Sequence, residues 1–370
     1  DLLCPECGAA PDGEWPSIQD GFDSWLGRVL DGRYVITKQV GQGAMGTVYK
    51  ADSIGIARQF AVKVINFKEG ASGLDAAQVR ARLHREIEAI GKLRNPHVVP
   101  FYEVLEIFDH YVGVVMDYVD GTTLEDMVLT GGPFDARRSL KVLRQVANGV
   151  HEAHEVGMIH RDLKPENIMV EVLPAGDDFA HVLDFGIVRM DDGVSMTKGF
   201  LGTPLYASPE QAMAGEVDRR SDIYSLGAML FFMLTSHAPF ESDNVYEILQ
   251  SHVRKPAPSL ADVFGRPFPQ PLERLVADML AKNPENRPQS LAEVISRIDR
   301  MLRFGELDEL VPDSIDMVAP SGTHFGAPST DVGLHEDSSS IFESEERDRT
   351  GPKAAIFKGS SRTGIQRMIA

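Results

Sequence analysis

Cysteine is nearly absent: Cys4 and Cys7 are the only two in 370 residues. Two thiols cannot build a disulfide framework, and so sparse a supply fits a reducing compartment, which makes the cytoplasm the expected location. Long apolar runs are missing too. The longest, Ile223–Leu234, is interrupted by Ser225 and falls short of the roughly 20 residues a bilayer needs, so no membrane span is expected in this chain. Basic residues are outnumbered, with 37 Lys and Arg against 55 Asp and Glu, a net charge of −18. That balance argues against a general nucleic-acid binder and against a surface that adheres to anionic lipid. No Gly-Lys-Ser/Thr occurs, which excludes a Walker P-loop. No charged-then-apolar leader opens the chain, and its first residue is Asp1 rather than Met, as expected of a piece of a longer protein.

What is present is ordinary in bulk. Hydrophobic residues make up 43% and charged residues 25%, the mix of a globular protein long enough for two lobes or domains plus a tail. Residues 1–32 form an N-terminal extension that opens with Cys4-Pro5-Glu6-Cys7-Gly8 and ends in a loose connector, Gly21 to Gly32 with Trp15 and Trp25 nearby, for which packing on the first lobe is one expectation. The C-x-x-C-G is half of a zinc-ribbon knuckle, and structural zinc needs four ligands. Two readings stay open: a second Cys pair upstream completes a Zn2+ site, or these are ordinary thiols. Beyond residue 304 the composition turns to Asp, Glu, Ser, Gly and Pro up to 350, then becomes basic with Lys353, Lys358, Arg362 and Arg367. Such a tail cannot bury enough surface to fold. A linker is the leading reading of 304–370, with self-phosphorylation at Ser338–Ser340, Thr350 or Thr363 as another.

The chemistry is most concentrated in His160-Arg161-Asp162-Leu163-Lys164-Pro165-Glu166-Asn167-Ile168-Met169. Pro165 disfavours helix at Lys164, so this is a loop. Asp162 suits acceptance of a hydroxyl proton, Lys164 the steadying of a phosphate, and Asn167 the holding of a metal ion through its side-chain oxygen, a set that suits phosphoryl transfer. Upstream, Gly41-Gln42-Gly43-Ala44-Met45-Gly46 is followed by β-branched and aromatic residues, which puts the glycines in a hairpin rather than at a helix start. Phe60–Ile65 reads as a buried strand carrying one charge, Lys63. Asp75–Arg94 is helical, with Glu86 on or beside its apolar stripe, so a Lys63–Glu86 ion pair is expected. Two more strands are expected downstream, at His97–Glu106 and Tyr111–Met116. Asp135–Val156 is a further helix closed by Gly157; its His151 and His154 are expected to be solvated or to stabilise the helix end. A hairpin then turns at residues 173–178 and leads to Asp184-Phe185-Gly186, 17 residues after Asn167. Gly202–Glu210 reads G-T-P-L-Y-A-S-P-E, and an all-round apolar helix starts at Ser221-Asp222.

Together these motifs resemble the bacterial eukaryotic-like (Hanks-type) serine/threonine protein kinases over about residues 33–303. The resemblance implies an α+β, bilobal protein-kinase fold: a small β-rich N-lobe with one helix (33–119) and a larger, mainly helical C-lobe (120–303). It implies ATP and Mg2+, with Asp162, Lys164 and Thr203 catalytic and with Asn167 and Asp184 on the metal. Nucleotide would lie against Val40, Gly41, Gln42, Gly43, Ala44, Met45, Gly46, Thr47, Val48, Ala61, Lys63, Glu86, Met116, Asp117 and Val119. Lys63 would reach the α/β-phosphates, and the backbone of Asp117 and Val119 would meet adenine. Lys164 and Thr203 imply protein Ser/Thr substrates, and Arg161 implies a phosphorylated activation segment, with Ser195 and Thr197 as candidates. Asp222 would cap the catalytic-loop backbone and Arg287 would pair with Glu210. Ser208 departs from the usual A-P-E alanine, a common look with Gln211 in bacterial members. Related kinases also pair through their small lobes, so a homodimer of that kind is a further expectation. A pseudokinase, or a zinc-ribbon scaffold with a regulatory kinase part, competes weakly because Lys63, Asp162 and Asp184 are all present.

Overall fold

The computed structural model describes residues 25–43, 46–66, 76–108, 111–185, 204–304 and 307; the side chains of 76–80, 82, 86 and 108 are outside that description. The chain divides into two compact units, 1–311 and 312–370, and every described residue belongs to the first.

An antiparallel sheet is built from β1 (Val29–Leu30), β2 (Tyr34–Gly43), β3 (Gly46–Ser53), β4 (Gln59–Asn66), β5 (Phe101–Phe108) and β6 (Tyr111–Asp117), in the order β1-β2-β3-β4-β6-β5. One helix, α1 (Ala76–Ile90), is inserted between β4 and β5. The sheet takes in residues upstream of Arg33. Trp25 is buried and packs on Tyr49 and Tyr111, with ring centroids 6.4 and 5.3 Å away, so from Trp25 onward the connector packs on the first lobe, as one expectation had it, and β1 makes it the first edge of the sheet. Helix α1 stops at Ile90 instead of Arg94, because Gly91 and the turns after it take over the last carbonyls. Strand β5 likewise starts at Phe101, not His97. Val98 makes a parallel bridge to Val182, and the N–H of Val99 donates to the Val182 carbonyl, so this stretch belongs to the second layer before Pro100 breaks the ladder.

The larger lobe follows: β7 (Thr122–Thr123), α2 (Leu124–Gly131), α3 (Ala136–Glu155), β8 (Ile168–Val172), β9 (Asp178–Val182), α4 (Pro209–Ala212), α5 (Arg219–Thr235), α6 (Val245–Arg254), α7 (Leu260–Phe264), α8 (Gln270–Met279) and α9 (Leu291–Phe304). Strands β8 and β9 form the expected hairpin. Helix α3 is capped by Asp135, whose side chain accepts from Arg138 N, and Gly157 behind it takes the left-handed φ of 78° that only glycine adopts without strain. Helix α2 carries a cap of the same type, Thr123 accepting from Asp126 N, a short Thr-x-x-Asp signal that the helical patterning alone does not reveal. Helix α5 is buried from Ser221 to Thr235 on every side, as its all-round apolar composition predicts. It begins two residues before Ser221, at Arg219, with Asp218 as its cap. No helix among the described residues is long and apolar enough to cross a membrane.

One ion pair ties α4 to the far end of this lobe. The Arg287 guanidinium, fully buried, donates to both oxygens of Glu210 at 2.8 and 2.9 Å. Its remaining donors reach the carbonyls of Ala281 (2.7 Å), Arg220 (2.9 Å) and Lys282 (3.1 Å), and Ser221 donates its hydroxyl to Glu210. Burial pushes the Glu210 carboxyl up, but the Arg287 bonds and the Ser221 hydroxyl outweigh it and hold it below its ordinary value. Because each partner is desolvated, removing one leaves a buried charge alone. Arg287→Ala is expected to cost about 3–5 kcal/mol, read as a lower urea midpoint at unchanged slope.

Candidate functional site

The glycine run forms the tip of the β2–β3 hairpin, with Gly41 opposite Val48, Gln42 opposite Thr47 and Gly43 opposite Gly46. Ala44 and Met45 lie outside the described residues. Gly46 has φ 149°, and a Cβ there would come within 2.3 Å of the Val64 carbonyl oxygen, so only glycine lets the hairpin lie this close to β4. Val40 is exposed at the mouth. On β4, Lys63 sits between Val48 of β3 and Val114 of β6, and Ala61 sits beside Met116.

The Lys63 side chain is 11% exposed and its Nζ meets Asp184 Oδ2 at 2.7 Å. A sheltered ammonium requires an opposite charge. Glu86 lies on α1 and its side chain is outside the described ones, so the expected Lys63–Glu86 pair has no described counterpart; the described partner is Asp184, 121 residues away in sequence. At the end of β6, Met116 is buried. The N–H of Asp117 donates to the Pro100 carbonyl at 3.0 Å. Its carboxylate accepts from Arg58 at 2.6 Å and from the Tyr102 hydroxyl at 3.0 Å. The Lys50 ammonium stands 4.2 Å from the centre of the Tyr118 ring, and Val119 is half-buried beside it.

The expected loop holds from 160 through the single 3₁₀ turn Pro165–Asn167, but Ile168 and Met169 already belong to β8, where they pair with β9. Asn167 Nδ2 donates to the Asp162 carbonyl at 2.8 Å and to its Oδ2 at 3.3 Å, and Lys164 Nζ stands 4.0 Å from the same Oδ2. The Leu183 N–H donates to the Asn167 carbonyl at 2.8 Å, which draws Asp184 alongside. His160 joins the two segments through one ring. Its Nε2 pairs with the Leu183 carbonyl at 2.9 Å, while its Nδ1 accepts from Asp162 N at 3.3 Å. These partners require a proton on Nε2 and a lone pair on Nδ1. Burial pushes the His160 pKa down despite the neighbouring Asp222, which keeps the ring in that neutral form. Phe185 packs on the imidazole at 4.6 Å.

Asp222, 1% exposed, accepts from the backbone N–H of His160 on Oδ2 and of Arg161 on Oδ1, both at 2.8 Å. Burial raises its pKa, and the bonds from His154 and from the loop lower it further, so it stays ionised. His154, expected to be solvated or to stabilise the helix end, is buried with Nε2 at 2.8 Å from Asp222 Oδ2; its spacing from Gly157 gave no hint that it faces inward. Gln211 also has a place that its local sequence does not announce. Its Nε2 donates to the Arg161 carbonyl at 2.7 Å. Thr203, Gly186, Ser195 and Thr197 lie outside the described residues.

Two lobes meeting at a lysine, two carboxylates and an asparagine can be compared with known proteins. The description "protein kinase domain" matches residues 34–297. The chain belongs to the protein kinase domain family. Similar proteins include serine/threonine-protein kinase pkn3 of Myxococcus xanthus, 35% identical over 276 residues, covering 72% of this chain and 50% of that one. Serine/threonine-protein kinase PknD of Mycobacterium tuberculosis is 33% identical over 312 residues, covering 84% and 45%. The chain spans about half the length of the curated relatives it matches. A solved structure described as Rad53 1-466 in complex with AMP-PNP aligns with a TM-score of 0.59 and 25% identity over 72% of this chain and 64% of that one.

In this kinase domain the donor set suits Mg2+, a hard cation that takes one or two protein oxygens and completes its shell from phosphate and water. Asp184 offers a carboxylate and Asn167 an amide oxygen, on segments tied together by the Leu183–Asn167 bond. Among the described residues no group of three or more His, Cys, Asp and Glu is placed to hold a metal ion, so zinc finds no support there; Cys4 and Cys7 lie outside those residues.

Glu125, in the first turn of α2, faces the same loop. Burial, then Glu166 and Asp126, push its pKa up to about 7 against the opposing pull of Lys164. A carboxyl raised above its unfolded value weakens the fold as pH climbs between the two values and gives no further change above the folded one. Glu125→Gln is therefore expected to raise the melting temperature at pH 8 and to leave it nearer the parent's at pH 5, read by paired thermal melts.

Proposed function

We propose that this chain is an ATP-dependent serine/threonine protein kinase that transfers the γ-phosphate of ATP to protein hydroxyls, autophosphorylates its activation segment and acts in signalling. The observation that carries the reading is the 2.7 Å contact of Lys63 with Asp184, beside the loop that holds Asp162, Lys164 and Asn167. Charges from two lobes converge on one locus, as a triphosphate requires.

In this reading Asp162 takes the proton of a Ser or Thr hydroxyl as its oxygen attacks the γ-phosphorus in line. The bond from that phosphorus to the β–γ bridging oxygen breaks, ADP leaves with the electron pair, and a phosphoester remains on the protein. Lys63 and Lys164 offset the charge, and Asn167 fixes Asp162 through the 2.8 Å bond to its carbonyl. Mg2+, when held by Asp184 and Asn167, supplies neutralisation of the phosphate oxygens. Adenine lies against Ala61, Met116, Asp117 and Val119, and the 40–48 segment, Ala44 and Met45 included, is assigned to the nucleotide by the family resemblance. The family resemblance assigns to Glu86 the orienting of Lys63, to Thr203 the support of Asp162 and Lys164, and to Ser195 or Thr197 the activating phosphate. The kinase domain is assigned to 33–303, with 25–32 packed on it as the first edge of its sheet and the rest of 1–32 and 304–370 flanking it. Two cysteines in 370 residues support a cytoplasmic setting, and pairing through the small lobe follows from the family resemblance.

Purified chain incubated with Mg-ATP is expected to acquire phosphate at Ser195 or Thr197, mapped by mass spectrometry. Asp162→Asn is expected to lose at least about 10²-fold in rate while still binding nucleotide. An unmodified parent that also leaves a generic basic protein unphosphorylated would sink the proposal.

A further inference from the structure

Arg161 is a non-glycine residue with φ 65°, a left-handed conformation that strains an L side chain and persists only where its surroundings over-determine it. The surroundings do so from both directions. Its N–H donates to Asp222 Oδ1 at 2.8 Å, and its carbonyl accepts from Gln211 Nε2 at 2.7 Å. That carbonyl belongs to the peptide unit joining Arg161 to Asp162. The N–H of the same unit donates to His160 Nδ1 at 3.3 Å. Thus one planar peptide is held at each of its polar groups by a side chain, immediately before the Asp162 Cα. Rotation of that plane would swing the Asp162 carboxylate off its line.

Gln211 reaches the peptide because its own place is doubly set. Its backbone N–H donates to Ser208 Oγ at 3.3 Å, and its Oε1 accepts from the Ser208 N–H at 3.0 Å. This is a reciprocal capping box on α4. The amide oxygen serves the cap and the amide nitrogen serves the loop. An alanine at 208 could not supply the hydroxyl side of the box, and an apolar residue at 211 could make neither side-chain contact. The departure from A-P-E at Ser208 thus accompanies a link between the end of the activation segment and the loop beneath it.

We infer that Gln211 is a positioning residue: its side-chain amide locks the Arg161–Asp162 peptide, and through it the aim of Asp162, to the first turn of α4. The inference rests on the reading of Asp162 as the proton acceptor. Two substitutions in the full chain separate the tether from the cap. Gln211→Glu keeps an oxygen for the Ser208 N–H, since glutamate serves a capping box as well as glutamine does, but turns an acceptor toward the Arg161 carbonyl. Ser208→Ala removes the hydroxyl half of the cap and leaves the tether.

For Gln211→Glu the expected result is a kcat lower by about tenfold or more, an unchanged KM for ATP and faster hydrogen exchange over residues 158–169. Ser208→Ala is expected to melt lower, with kcat and the exchange of that segment close to the parent's. Hydrogen exchange is read without nucleotide, so it tests the tether even if the parent transfers no phosphate and the kinase reading itself fails. Parental exchange over 158–169 in Gln211→Glu overturns the inference, as does a parental kcat in an active chain.

Discussion

A buried carboxylate at the start of α5 sets the geometry on which the site depends. Asp222 is enclosed almost completely and spends its oxygens on two successive backbone N–H groups, those of His160 and Arg161, with His154 as a third donor. An ionised group in such a place is tolerated only where hydrogen bonds replace lost water. Here the requirement works in both directions. The loop satisfies the carboxylate, and the carboxylate holds the loop to the most deeply buried helix of the large lobe.

From that anchor the order passes outward through backbone as much as through side chains. His160 links Asp162 to Leu183 by using each ring nitrogen differently, and the Leu183 N–H closes back on Asn167. Asp184 is therefore delivered by contacts made one residue before it. Across the lobes, Lys63 reaches it from the central strand β4. Asp162, Asn167 and Asp184 are thus each placed by a neighbour whose own geometry is already determined. Such pre-arranged charge is what electrostatic stabilisation of a transferring phosphoryl group calls for.

Much of the fold was legible because its signals are local. The glycine hairpin, helix α3 with its Gly157 stop, the hairpin after Met169 and the all-round apolar α5 each declare themselves within a few residues. Boundaries were less legible where a neighbour competes for the backbone. His97–Pro100 carries strand-like residues, yet its groups go to Val182 of the other lobe. Packing of the Trp25 stretch on the first lobe could be anticipated, but nothing within it tells that Tyr49 and Tyr111 are its partners or that Val29–Leu30 pairs as a strand.

The chain's residue order alone singled out Asp162, Lys164, Asn167 and Asp184 as candidates, since they stand in short motifs whose spacing is itself the signal, and by resemblance it pointed to the pair of Glu210 and Arg287. Only the tertiary structure decided how those groups are held. The inward turn of His154, the double use of Gln211 and the left-handed Arg161 depend on contacts between segments about 50 to 70 residues apart in sequence. No local periodicity encodes such contacts, because a side chain's direction is fixed by what packs against it and not by the residues beside it.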